Sequence, residues 1–321
     1  MVSMRELLRF FYALILGAKI NVAWSFRNLH EARDRELVRE FRISKGRVRL
    51  KERRSSAPLN KLLLYSDYLS EIASLLNLEG RLEMDKAFIF NADMHLNKLC
   101  FRFLNPGNIQ AFKEIYSEGI YNLALLPNIK YVAIDVGMNI GLSSLFFANL
   151  EQIDKVYGFE LVPATYRLAK ENIERNRWAI SKCVPSNIAW AGENRSLLLG
   201  DSLGGSVSAS IYNDVVEQGG EKVELRDASE LAEEIINAHP PLTEFILKLD
   251  CEGAEYEVMR NLENSRILQR FCFVMIEWHF LGSDQLTSIL KRSGFDSIAI
   301  GNPKYACQIG MIYAFKRNVR I

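Results

Sequence analysis

Four ionisable side chains close two apolar runs in the last third of the chain. Phe245-Ile-Leu-Lys-Leu-Asp250-Cys-Glu252-Gly253 sets Asp250 and Glu252 two residues apart, and Val274-Met-Ile-Glu277-Trp-His279 does the same for Glu277 and His279. Residues two apart on a strand share a face, so each pair points one way. Three carboxyls and an imidazole at the ends of neighbouring strands suit proton transfer, because a hydroxyl is a poor nucleophile until a positioned base takes its proton. Asp250, Glu252, Glu277 and His279 are therefore the candidate catalytic group. Gly253 permits a sharp turn into a helix, whose positive N-terminal end favours carboxylates nearby. The same grouping offers a second chemistry, a divalent cation held against a substrate diol, although no set of dedicated metal ligands is expected.

A second group lies earlier. Tyr131-Val-Ala-Ile-Asp-Val-Gly-Met-Asn-Ile-Gly141 reads as a buried strand and a glycine-bearing turn, and Gly158-Phe-Glu160 ends the next strand in an acid. A dinucleotide frame G-x-G-x-x-G starting at Gly137 needs glycines at 139 and 142 but meets Asn139 and Leu142, which argues against a nicotinamide-dependent oxidoreductase. What fits is acidic-x-Gly-x-small-x-Gly, carried by Asp135, Gly137, Asn139 and Gly141. Asp135 can order the turn or hold a ligand amino group. Asn139 can lend an amide or tolerate a left-handed backbone. Glu160 is placed to accept both hydroxyls of a ribose. This turn resembles the nucleoside-binding turn of class I S-adenosylmethionine (SAM) dependent methyltransferases. That resemblance makes Asp135, Gly137, Asn139, Gly141, Glu160 and Asp250 the candidate cofactor-binding residues.

From residue 130 apolar strands alternate with helices. Strands are expected at 131–136, 155–160, 181–190, 244–250, 271–278, 295–300 and 309–316, and helices at 140–150, 163–176, 226–237, 253–264 and 282–293. Such alternation predicts a parallel sheet covered on both faces, and the short last connection predicts an antiparallel final strand. The fold class is thus α/β, a Rossmann-like seven-stranded class I methyltransferase sheet with an N-terminal mixed α/β extension. Residues 194–226 read as a hairpin insertion. Upstream, residues 29–43 and 67–76 read as helices, 46–51 as an edge strand, 81–104 as paired short strands and 108–116 as a helix. Two domains are expected: a basic, mostly helical region over 1–80 and the SAM-binding domain over 81–321.

The net charge of +1 hides an asymmetry. Residues 1–60 hold 14 Lys/Arg against 6 Asp/Glu, or +8, and the remainder 26 against 33, or −7. The acidic body, with no nucleic-acid-binding motif in the basic segment, argues against a nucleic-acid partner. Five scattered cysteines without C-x-x-C spacing indicate a reducing, cytoplasmic setting. The apolar run Phe10–Ala18 is nine residues long, too short to span a bilayer. Residues 1–20 are expected to pack on their own domain, with peripheral membrane contact as the alternative.

Taken together, Lys248-x-Asp250-x-Glu252-Gly-Ala-Glu255, Glu277-x-His279, Asp135-Val-Gly137-x-Asn139-Ile-Gly141, Glu160-x-x-Pro163 with Asn172 and Asn176, and Phe112-x-Glu114-Ile115 through Tyr121 resemble the FkbM family of SAM-dependent methyltransferases over roughly residues 108–300. Met138 and Leu161 depart from the family pattern. The resemblance implies SAM as cofactor and methyl transfer to a hydroxyl of a sugar, glycolipid or secondary metabolite, so the expected partner is a small-molecule or glycan acceptor bearing a hydroxyl. The competing reading is a non-catalytic SAM-fold scaffold or membrane-associated binding module.

Overall fold

In the computed structural model, the described residues are 97–103, 107–200, 220–303 and 308–317, together with the backbone of five short strands before residue 94. The helices expected at 67–76 and over most of 29–43, and residues 1–20 with their expected packing and its membrane-contact alternative, fall outside them. Residue contacts group the chain into two compact units, 1–120 and 121–321. No helix among the described residues is long and apolar enough to cross a membrane.

The first unit carries a six-stranded sheet in sequential order: β1 Phe41–Ser44, β2 Arg47–Leu50, β3 Ser56–Pro58, β4 Glu83–Met84, β5 Ile89–Asp93 and β6 Lys98–Arg102. Phe41–Ser44, expected at the end of a charged helix, is instead a strand paired with β2. After β6 come helix α1 (Gly107–Phe112) and a π-helical turn over Lys113–Glu118, closed by Gly119 at φ 70°. Phe101 and Phe112 stack at 4.7 Å in its core.

The second unit is built on seven strands. They are β7 Tyr131–Val136, β8 Ile153–Phe159, β9 Cys183–Ser186, β13 Glu244–Leu249, β14 Phe271–His279, β15 Phe295–Gly301 and β16 Ile309–Lys316. Their order across the sheet is β15-β16-β14-β13-β7-β8-β9, with β16 antiparallel to both neighbours and the β14-β13-β7-β8-β9 pairings parallel. This is the Rossmann-like class I methyltransferase arrangement. Strand order reverses between β7 and β13, which places a ligand crevice at the carboxyl ends of those two strands.

Helices α2 (Leu142–Ala148), α3 (Pro163–Arg175) and α4 (Arg177–Ile180) follow β7 and β8, and α5 (Ala228–Asn237), α6 (Glu255–Asn264) and α7 (Asp284–Arg292) fill later crossovers. Every residue of β7 is buried, as expected of a central parallel strand. Val132, Ile134 and Val136 join Leu247, Leu249, Val274 and Ile276 in one core cluster with the apolar faces of α5, α6 and α7. Alternate residues of β7 and β13 point the other way, and among them are Asp135 and Lys248, which are register partners.

The run 181–190, expected as one strand, is two. Cys183–Ser186 completes the main sheet, whereas β10 (Ala189–Ala191) joins a separate three-stranded sheet. In that sheet β11 (Arg195–Leu199) and β12 (Glu221–Asp227) pair antiparallel, forming the stem of the expected hairpin insertion. Its Gly/Ser-rich residues 201–219 lie outside the described residues. The chain changes sheets at Asn187, whose amide donates to the Glu160 and Leu161 carbonyls at 2.7 and 3.0 Å.

Candidate functional site

The turn after β7 is a run of unusual backbone held by buried charge. Gly137, Asn139 and Gly141 have φ of 79°, 51° and 87°. A Cβ on Gly137 would lie 1.7 Å from the Asp250 carbonyl oxygen, so glycine is what allows the ends of β7 and β13 to touch. Asn139 sustains its left-handed conformation with its own side chain, whose Oδ1 accepts from the Ile140 N–H at 2.7 Å. Met138, one of the departures from the family pattern, is buried over Gly158, where a side chain would run into the methionine sulfur.

Asp135 lies beneath this turn and is fully buried. Its Oδ2 accepts from the hydroxyls of Ser143 and Ser144 at 2.7 and 2.6 Å. Its Oδ1 is ion-paired with Lys248 Nζ at 3.1 Å. Lys248 also donates to the carbonyls of Gly137 (2.6 Å) and Val136 (3.3 Å) and faces Asp250 Oδ2 at 3.4 Å. Burial disfavours the ammonium, but Asp135 and Asp250 outweigh it and hold Lys248 above the usual lysine range. One buried cation thus ties the first turn to the end of β13.

Glu160 follows β8 and is 8% exposed. Its Oε2 accepts from the Asn139 N–H at 3.0 Å and its Oε1 from the Val162 N–H at 2.9 Å. Burial is the largest influence on its carboxyl and pushes it up to about 7, against the two N–H donors and Lys248. The carboxylate borders an open cleft whose apolar lining includes Leu161, Ile188, Ala189 and Trp190. Gly137, Asn139, Asp250, Cys251 and Glu252 line it as well.

A second acidic turn follows β13. Glu252 and Gly253 have φ of 53° and 111°. Glu255 is fully buried at the start of α6. Its Oε1 accepts from the Cys251 N–H at 2.8 Å and its Oε2 from the Gly253 N–H at 2.9 Å, so this carboxylate ties the turn together. Glu255 Oε1 also faces His279 Nδ1 at 3.1 Å, and Glu252 Oε2 faces His279 Nε2 at 3.5 Å. Burial works against a charge on His279, but the Glu255 hydrogen bond and three surrounding carboxylates prevail and raise it to about 10. Glu252 is raised to about 7, chiefly by burial and against the pull of His279.

Asp250, Glu252 and His279 bring one carboxylate oxygen or ring nitrogen each within 4.8 Å of one another. Glu277 shares their sheet face but sits lower on β14, in register with Met311, and is felt by Tyr313, whose phenol burial and Glu277 raise. Among the candidate residues, Gly137, Asn139, Glu160, Asp250 and Glu252 line the cleft. His279 stands behind Glu252, and Asp135 and Gly141 belong to the frame. Neither Glu255 nor Lys248 is among the candidates; a lysine within an otherwise apolar run is the signal that marks Lys248, whereas Glu255 stands among other acids and carries no such mark. The wall at Ile188 follows the third strand, and its position at a strand's carboxyl end is the available clue.

Residues 135–297, just over half of the chain, match the methyltransferase FkbM domain family. The chain is 26% identical over 211 residues to the methyltransferase sdnD of Sordaria araneosa, covering 58% of this chain and 81% of that protein. Among solved structures, methyltransferase FkbM from Methylobacillus flagellatus KT aligns with 14% identity and a TM-score of 0.43 over 64% of this chain. This chain spans 48% of that one, about half its length. TYW2 of M. jannaschii, determined in complex with AdoMet, aligns with 14% identity and a TM-score of 0.38, covering 74% of this chain and 94% of that one. On the family match, this chain belongs to the FkbM methyltransferases.

Proposed function

We propose that this methyltransferase acts on a hydroxyl oxygen of a sugar, glycolipid or secondary metabolite, and that Glu252 takes the hydroxyl proton. The cofactor is S-adenosylmethionine, which when bound supplies an electrophilic methyl on a sulfonium. The residues present fit it. Each Glu160 oxygen accepts one backbone N–H and keeps acceptor capacity for a ribose hydroxyl, while Leu161 and Ile188 offer the apolar wall a purine needs. Gly137 and Asn139 would hold the nucleoside side of the cleft, and the Asp250 carboxylate suits the cationic end.

The observation that carries the base assignment is the contrast between Glu252 and His279. Glu252 lines the cleft, is held in a left-handed backbone, and has its carboxyl raised to about 7, near the value at which a base combines availability with driving force. His279, raised to about 10, is an imidazolium at neutral pH with both nitrogens turned to carboxylates. It therefore orients Glu252 and does not compete for the proton. A cleft edge of carboxylates also disfavours anionic acceptors and suits neutral hydroxyls. A cytoplasmic location is part of this proposal; no disulfide joins the described cysteines.

The test pairs calorimetric binding of SAM with transfer of labelled methyl to a panel of hydroxylated glycosides and lipids. Glu160→Ala should weaken SAM binding by about tenfold or more, the scale of a lost charge-assisted hydrogen bond. Glu252→Gln should leave SAM binding intact and slow turnover by about 10²–10⁴-fold, and wild-type turnover should rise with pH through about 7. Full turnover in Glu252→Gln removes the base assignment. Activity lost in excess chelator replaces it with a metal-assisted one, and folded protein that binds no SAM leaves the scaffold reading.

A further inference from the structure

Immediately after His279 the chain makes a corner that pushes two large apolar side chains outward. Phe280 is 55% and Leu281 72% exposed. Phe280 has φ 65°, a conformation that a bulky residue without glycine's freedom keeps only where its surroundings impose it. Those surroundings are specific. The Leu281 N–H donates to the His279 carbonyl at 2.8 Å. The buried Tyr256 hydroxyl reaches the carbonyls of His279 and Gly282 at 2.9 and 2.8 Å, pinning the corner at both ends. Gly282, at φ 76°, completes it. The Phe280 ring lies 6.0 Å from the His279 ring, whose Nε2 is 3.5 Å from Glu252.

The other exposed apolar side chains differ. Leu242 sits in the turn before β13, at the opposite end of the sheet from the cleft, and Ile298, Ile300 and Phe315 lie on the regular strands β15 and β16. Neither these four nor the remaining exposed apolar residues Leu126, Ile180 and Val184 have a left-handed backbone. At Phe280 a strained and doubly anchored backbone presents the apolar pair one residue from the catalytic cluster. Strain retained at such a place points to function.

We propose that Phe280 and Leu281 form the acceptor's apolar subsite. The acceptor is then amphipathic: its hydroxyl reaches Glu252 while an alkyl or similar apolar body rests on the Phe280–Leu281 corner. This inference rests on the reading of Glu252 and His279 as the acceptor side of the site. It selects, among hydroxyl-bearing acceptors, those with an apolar body over fully hydrated free sugars.

The test compares n-octyl and methyl β-D-glucopyranoside as probes, both kept below micellar concentration, in the presence of saturating S-adenosylhomocysteine. Binding is followed by saturation-transfer NMR and titration on wild type and on the double variant Phe280→Asn/Leu281→Ser. Asparagine tolerates the left-handed backbone, so the corner keeps its shape without its apolar groups. The octyl glucoside should bind wild type about tenfold more tightly than the methyl glucoside, the gain from sheltering roughly two methylenes. Saturation should fall on the alkyl chain, and the double variant should bind the two glucosides equally. Equal binding by wild type, or a preference that survives in the double variant, overturns the proposal. Equal binding together with capture of wild type, but not the variant, on phosphatidylcholine vesicles overturns it in favour of a membrane-resting corner. Binding of S-adenosylhomocysteine is measured separately on both proteins, and its absence from wild type would strike the methyl-transfer reading instead.

Discussion

The turns after β7 and after β13 are built alike and used differently. Each leaves a central parallel strand, passes through glycine and one other residue in left-handed conformation, and enters a helix with a fully buried carboxylate in reach. In the first turn the buried acid, Asp135, comes before the glycine and is satisfied by two serine hydroxyls and Lys248. In the second the buried acid, Glu255, comes after it and is satisfied by two backbone N–H groups and His279. The first turn therefore presents mainly backbone to the cleft, whereas the second presents the Asp250 and Glu252 carboxylates. A buried acid that orders a turn leaves neighbouring acids available to a ligand, and its place in the sequence decides which neighbours those are.

Substitutions can break the pair apart. The largest effect is expected from Gly137→Ala, which strains a left-handed backbone and drives a methyl into the Asp250 carbonyl 1.7 Å away. A loss of roughly 4 kcal/mol or more, seen as a collapsed urea midpoint or no folded protein, is the expected result. A near-wild-type midpoint would show that the two strand ends do not press together.

Glu255→Gln should cost about 3 kcal/mol at pH 7, since it leaves a buried imidazolium without its main counter-charge. It should also change the pH profile. A histidine raised to about 10 contributes stability that is fully present below its unfolded value near 6.5 and is lost as pH rises through 10. Glu160 and Glu252, raised to about 7 from 4.5, act in the same direction over a lower window, because stability falls as each is forced to ionise between those values. Wild-type stability should thus decline from pH 6.5 to 10 in urea titrations, and Glu255→Gln should flatten that decline. An unchanged slope would detach His279 from Glu255. The smallest effect is expected from Asn139→Gly, which keeps the left-handed backbone and loses the side-chain hydrogen bond to Ile140. A change within about 1 kcal/mol should be found by the same titration.

Periodicity made the main sheet legible, because strands such as Tyr131–Val136 carry their apolar pattern and bounding glycine within a few residues. The break inside 181–190 was not legible. It depends on Asn187 reaching carbonyls 26 and 27 residues away, contacts that exist only once the chain has folded. The candidate site was legible as a set of residue types but not as a division of labour. Asp135 and Glu255 are acids like Glu160 and Glu252, and only the folded structure separates those that stay within the turns from those that line the cleft. Lys248 shows the same limit, since its three tethers to residues 135–137 are visible only once β7 and β13 lie side by side.

The Lys248–Gly137 contact joins residues 111 positions apart. At roughly 5–20 residues per second, about 5–20 s separate the emergence of these two residues during synthesis. Throughout that interval Asp135 has its serine donors close by in sequence but no cation to balance it. The turn encountered first along the chain is therefore one that a nascent polypeptide cannot lock until β13 has left the ribosome.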